Sequence, residues 1–268
     1  MQNQYILNFT PTGMIPTKEL TPFVPVTVDE IIEDVLTAAK LGANMVHLHA
    51  RDPETGEPTY KKEIYGQIIR GIRRQNNELI LGVSTSGRIF NSFEKRSECL
   101  DLEDESKPDF ASLTLSSVNF NRHASINAPD MIKNLARKML DRSIKPELEV
   151  FDLGMINYAK YLIRKKLLEP PHYFNLILGN IACAQADMLH LGLMISELPE
   201  NSYWSVGGIG GWQLKMNTLA VILGGGVRVG LEDNIWLDND RKQLATNYTL
   251  VKRVGYRKTF GTSTIPDC

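Results

Sequence analysis

Apolar positions along the chain follow two alternating rhythms. Short β-like runs fall at 5–9, 44–49, 79–84, 110–115, 147–151, 173–178, 203–206 and 226–230. Each is followed by a stretch with the three-to-four-residue spacing of a helix, at 28–41, 61–75, 93–102, 130–141, 155–166, 184–198, 213–223 and 240–254. Eight such pairs in 268 residues give about 33 residues per unit, enough for a parallel strand–helix–strand crossover. Several boundaries carry their own chemistry. Thr27 is placed to cap the first helix, with Glu30 closing a capping box, Gly42 fits the end of that helix, and Pro129 suits a first helical turn. No Pro- or Ser-rich linker divides the chain, so the pattern predicts one domain over residues 1–268, a (β/α)8 barrel of the TIM type. Alternation alone does not show closure, which leaves an open doubly wound sheet as the other arrangement. No glycine-rich GxGxxG or Walker-type phosphate loop follows any strand, which counts against dinucleotide and P-loop folds.

Composition narrows the function. Apolar residues make up 43% of the chain and charged ones 23%, and 30 basic residues nearly balance 31 acidic ones for a formal charge of -1. A nucleic-acid-binding chain normally shows a basic excess, so no nucleic-acid partner is expected. Cys99, Cys183 and Cys268 are odd in number and far apart. This argues against a disulfide framework and a cysteine zinc site, and for the reducing cytoplasm. The N-terminus lacks the basic and apolar regions of a secretory signal. The longest apolar stretch, 219–229, is interrupted by three glycines and Arg228, so no membrane segment is expected.

Side chains alternate along a strand, so parity places the polar residues. His47 and His49 share one face of the second strand and Leu48 takes the other. Their Cα atoms would lie about 6.6 Å apart, a spacing that suits one shared metal ion and equally a pair of hydrogen-bonded histidines. Ser84 ends the third strand, Ser112 and Thr114 share a face of the fourth, and Glu147 and Glu149 share a face of the fifth. Arg228 on the last strand has the parity of Glu232, if the strand continues that far. Inward carboxylates need positive partners. A metal and Arg228 would supply the charge; an internal Arg–Glu network without catalysis is the alternative. The polar pairs recur at strand ends, where barrel active sites lie. Glu232 is the candidate third ligand, completing a His2Glu set with one open position. Asp233 has the opposite parity, so on a continued strand it reads as a loop or helix-terminal carboxylate. His123, His172 and His190 fall outside the pattern and read as surface or packing residues.

The strings HLHARDP (47–53), PELEVFD (146–152) and RVGLEDN (228–234) together resemble the β-keto acid cleavage enzyme family. TPTG (10–13), LTPFVPVT (20–27), STSG (84–87), ASLTLSSVNF (111–120) and TNYTLV (246–251) match in order along nearly the whole chain. The resemblance implies a (β/α)8 barrel, one catalytic zinc on His47, His49 and Glu232, and a homo-oligomer, usually a tetramer. It implies condensation of a β-keto acid with acetyl-CoA and cleavage to acetoacetate and a new acyl-CoA. Asp233, Arg228 and Glu149 would carry the proton chemistry, and Ser84, Gly87, Ser112 and Thr114 would contact the substrate.

The chain also departs from that family. Where members acting on an amine-bearing keto acid have a glutamate, this chain has Ile15, which cannot neutralise an ammonium; an uncharged or apolar substrate tail is expected. The usual Thr-Gly-Gly after the third strand reads Thr85-Ser86-Gly87. A glycine pair after the sixth is replaced around Ile181-Ala182-Cys183, an arginine after the seventh is Gly211, and the tail from Arg257 to Cys268 is short and poorly matched. If the loops at 181–183 and 211 touch CoA, a phosphate partner is lost. Two other readings therefore accompany the first: a CoA-independent zinc lyase or hydrolase on a small keto acid, and a metal-holding barrel that binds without turnover.

Overall fold

The computed structural model describes residues 5–260, with side chains through residue 255. Eight parallel strands close into a barrel: β1 (Leu7–Phe9), β2 (Met45–Leu48), β3 (Ile80–Val83), β4 (Phe110–Thr114), β7 (Lys145–Val150), β8 (His172–Leu178), β9 (Ser202–Gly208) and β10 (Gly226–Val229). β1 pairs with both β2 and β10 and so closes the ring. Closure excludes the open sheet. The two remaining strands, β5 (Val118–Asn119) and β6 (Ala124–Ser125), form a small antiparallel hairpin after β4.

The outer layer is built from α1 (Val28–Lys40), α2 (Lys62–Arg73), α3 (Phe93–Ser97), α4 (Pro129–Asp141), α5 (Leu153–Arg164), α6 (Met188–Ser196), α7 (Gln213–Ile222) and α8 (Asn247–Phe260). Each long helix buries one stripe, such as Ile31, Val35 and Ala38 on α1 and Ile132, Leu135 and Met139 on α4. These pack on the outward residues of the strands: Val46, Leu48, Leu81, Val83, Leu113, Leu148 and Val150 are all buried in the same apolar core. Residues of the opposite parity, among them Asn8, His47, Ser112, Glu147, Asn175, Ser205 and Arg228, are polar and buried inside the ring. Thr27 and Glu30 form the expected capping box, Pro129 opens α4, and Gly42, just past the end of α1, has φ +105°, a conformation glycine adopts without penalty.

Three helical expectations need correction. The stretch 93–102 is one α turn, Phe93–Ser97, followed by a 3-10 turn, Glu98–Asp101, because Leu102 turns extended. α6 starts at Met188 rather than 184, where the Asp187 carboxylate accepts from the His190 N–H. The last helix starts at Asn247, not 240. Asp238 spends its carboxylate on the Lys242 and Gln243 amides, holding a loop, and Thr246 accepts from the Thr249 N–H instead. The hairpin was absent from the hydrophobic pattern altogether. The tail expectation falls mostly on residues beyond 260, outside the described ones. No helix among the described residues is long and apolar enough to cross a membrane.

Candidate active site

The polar residues predicted at strand ends meet at the C-terminal mouth of the barrel. His47 leaves β2 and His49 follows its end; their Nε2 atoms are 3.1 Å apart. His47 Nδ1 lies 2.6 Å from Glu147 Oε2, and Glu147 also accepts from Asn8 and Asn175, each at 2.7 Å. A fully buried carboxylate is thereby satisfied, and it fixes the ring so that Nε2 faces the mouth. Glu232 completes the group, with Oε1 3.3 Å from His49 Nε2. One ligand atom from each of the three lies within 4.8 Å of the others. The second Glu232 oxygen is buried without a hydrogen-bond partner, an arrangement that a cation would relieve.

Glu232 reaches this point because β10 ends at Val229 and the chain turns at Gly230. Its amide donates to the Thr10 carbonyl, and the loop after β1 passes so close that a Cβ on Gly13 would collide with the Glu232 side chain. Gly13 also has φ +68°, so the site requires glycine there on both counts.

The same turn brings in Asp233, which strand parity alone had directed away. Arg228 donates to it through Nε at 2.7 Å and Nη2 at 3.2 Å. Nη2 also lies 2.8 Å from Glu232, and Nη1 lies 3.7 Å from Glu149 and 4.0 Å from Glu147. One buried guanidinium thus serves four carboxylates, yet Nη1 has no hydrogen-bond partner. Burial would raise all four acids. Arg228, then His49 and His47, outweigh it at Glu232, which stays well below the usual carboxylate range. At Asp233 and Glu149 burial wins and both are raised. Burial also pushes His49 down to about 4, whereas Glu147 and Glu232 overcome burial at His47 and lift it to about 9.

A cavity of about 840 Å³ opens above this cluster, lined by His49, Ser84, Thr114, Glu149, Arg228, Glu232 and Asp233, with Ile15, Ile177, Ile209 and Trp236 among its apolar walls. Thr114 donates to Glu149 at 2.6 Å. Two expected contact residues stand behind the wall. The Ser112 hydroxyl accepts from the Thr85 amide, and the open side of Gly87 faces Arg96, whose Nε donates to the Thr85 carbonyl. They shape the loop after β3, and neither lines the cavity. His172 is buried at the start of β8 and His190 pairs with Asp187 at the surface, as expected, but His123 lines the cavity. Sequence reasoning also missed Arg88, Arg122, Asn180 and Arg241 at the mouth. The signal for Arg88 was its place immediately after STSG; the others sit on loops without a pattern.

Comparison with known proteins agrees with this geometry. A family model described as beta-keto acid cleavage enzyme matches residues 4–258. A 3-keto-5-aminohexanoate cleavage enzyme of Fusobacterium nucleatum is 36% identical over 95% of this chain and 91% of its own length. A 3-oxoadipate:acetyl-CoA acetyltransferase of Cupriavidus necator is 35% identical over 95% of this chain and 88% of its own. Among solved structures, the apo form of ObcA superposes with a TM-score of 0.75 at 22% identity, covering 89% of this chain and 62% of that one. That last likeness concerns the fold alone.

Proposed function

Because the chain belongs to the beta-keto acid cleavage enzyme family, whose members break carbon–carbon bonds, we propose that it condenses a β-keto acid with acetyl-CoA and releases acetoacetate and a new acyl-CoA. The observation that carries this reading is the convergence of His47, His49 and Glu232 beside the Arg228–Asp233 pair at the barrel mouth.

The donor set fits zinc: two imidazole nitrogens, one carboxylate oxygen and room for a fourth ligand. Bound there, such an ion supplies Lewis-acid polarisation of the substrate's carboxylate and keto oxygens. The chain's own residues do the rest. Asp233, raised by burial, takes the proton from the carbon between the two carbonyls. Arg228 holds that carboxylate in place and keeps a free Nη1 donor for a substrate oxygen. Glu149, fixed by Thr114, shares the charge balance, and the Ser84 hydroxyl at the wall is a donor for the carboxylate. The carbanion attacks the acetyl carbonyl and the CoA thiolate leaves. That thiolate then attacks the original keto carbon, and the bond between it and the deprotonated carbon breaks. The acetyl group stays on that carbon, which takes back the proton held by Asp233 as acetoacetate is released.

Support for acetyl-CoA comes from the Cupriavidus necator relative's name and from the mouth itself. Ile181 and Gly210 line the cavity, as do Arg122 and Arg241, two cations able to meet phosphates where Gly211 offers none. The missing guanidinium at Gly211 also favours a second reading, cleavage or hydrolysis without CoA. Incubation with β-keto acids, with and without acetyl-CoA, separates the two: acetoacetate should form only when the thioester is present, and cleavage without it would replace the first reading by the second.

Ile15 is half-exposed and sits at the cavity wall beside Met14, Pro16 and Leu20. None of these can pair with an ammonium. Ile15→Glu is therefore expected to raise kcat/KM for an amine-bearing β-keto acid about tenfold, the scale of one partly exposed ion pair; an unchanged ratio of amine-bearing to neutral substrates would remove this role. The apolar residues Met188 and Leu189 on α6 and Ile222 on α7 are exposed, and a homotetramer would cover such surface. A cytoplasmic setting agrees with Cys99 and Cys183, both free thiols.

A further inference from the structure

We infer that Arg88 is a specificity-determining residue that pairs with a second, distal carboxylate, so that the substrate is a β-keto dicarboxylate. This rests on the reading of the protein as a β-keto acid cleavage enzyme and names which keto acid it takes.

Arg88 lies on the loop after β3 and lines the cavity. Its guanidinium carbon stands 3.7 Å from the centroid of the Phe120 ring, on the stretch between β5 and β6. Phe120 in turn packs edge-on against Phe151 at 5.8 Å. The turn carrying Phe120 is closed by its amide donating to the His123 carbonyl, and Asn180 donates to the Asn119 carbonyl next door at 2.9 Å. The cation is therefore held over a braced ring, a contact that uses none of its N–H groups as hydrogen-bond donors. No hydrogen bond or ion pair of the Arg88 side chain occurs among the described residues, although Glu232, Glu149 and Asp233 act on it across the cavity. Those acids are already engaged by Arg228.

A positioned, unpaired fork of donors in a half-buried cavity is suited to a planar anion. The carboxylate next to the reacting carbon does not need it, since the metal site, Ser84 and the free Nη1 of Arg228 already serve that end. A second carboxylate does. The Ile15 wall, read alone, led to an expected uncharged tail; Arg88 was not part of that reading, and together the two residues reject a cation and accept an anion.

The test compares 3-oxoadipate with 3-oxohexanoate, which have the same carbon number and differ at the far carboxylate. Wild-type protein should favour the dicarboxylate at least tenfold in kcat/KM. Arg88→Met, which keeps an apolar chain on Phe120, should lower that preference by about ten- to a hundredfold, the worth of one charged hydrogen-bonded pair. Arg88→Lys should restore part of it. An unchanged ratio, or a loss confined to the KM for acetyl-CoA, overturns the proposal; the latter would mean that Arg88 reads a CoA phosphate. If neither acid is turned over, calorimetry of the two keto acids without acetyl-CoA keeps the questions apart. Tighter binding of the dicarboxylate, abolished by Arg88→Met, supports Arg88 while the acetyl-CoA reading falls, and equal binding overturns Arg88.

Discussion

His47→Ala is expected to leave the protein without its metal and to lower turnover by on the order of a thousandfold, since a Lewis acid contributes several kcal/mol to such a reaction. Elemental analysis of the purified wild-type protein should find about one zinc per chain, a stoichiometry set by the single cluster of three ligands among the described residues. The substitution also strips Glu147 of its ring partner, leaving it buried with Asn8 and Asn175. Losing one side of a buried ion pair costs about 3–5 kcal/mol, so part of the defect could be unfolding. Glu232→Gln serves as the companion variant. It keeps the shape and the more exposed position while removing the charge, and it should lose metal with a far smaller change in Tm. Wild-type metal content in both variants would refute the ligand set. The pH dependence has a definite sign. His47 carries a proton below about 9, and a cation must displace it. Affinity for zinc should rise about tenfold per pH unit up to that value and level off above it.

Asp233→Asn is expected to reduce kcat by about a hundred- to ten-thousandfold, the usual contribution of a positioned general base, with metal content unchanged. The amide keeps an oxygen for Arg228 but cannot take a proton from carbon. The measurement that isolates this role is exchange of the substrate's acidic C–H with deuterated water in the absence of acetyl-CoA. Wild-type protein should catalyse it and the variant should not. Exchange at the wild-type rate in Asp233→Asn would move the base elsewhere, with Glu149 the next carboxylate within reach of Arg228.

The barrel was legible because closure needs eight similar units, and each strand announced itself by a short apolar run next to a helical one. The inward faces were legible for the same reason: Glu147 and Glu149 obey a period of two, and so do His47 and His49. Legibility stopped wherever backbone direction changes. Asp233 joins the site only because the chain leaves β10 at Gly230, and no parity rule crosses such a turn. Ser112 and Gly87 have the right positions but spend themselves on the loop after β3, an outcome fixed by Arg96 packing from α3. Strands of two residues, such as β5 and β6, are too short to leave a rhythm. Phe120 and Arg88 therefore could not be paired from the sequence.

The closing of β1 between β2 and β10 has a consequence for assembly. The two imidazoles come from early in the chain and the carboxylate from the turn after its last strand, so the three donors face one another only once the ring is shut. Asn247 bolts the same seam, receiving the Leu231 amide and reaching the Pro11 carbonyl. A cation captured there would act as a clasp across the joint between the beginning and end of the polypeptide. A nascent chain still lacking β10 would hold two of the three donors and grip the ion weakly. Loading would thus report that the last strand has docked, and the ion's binding energy would weigh against reopening at that edge.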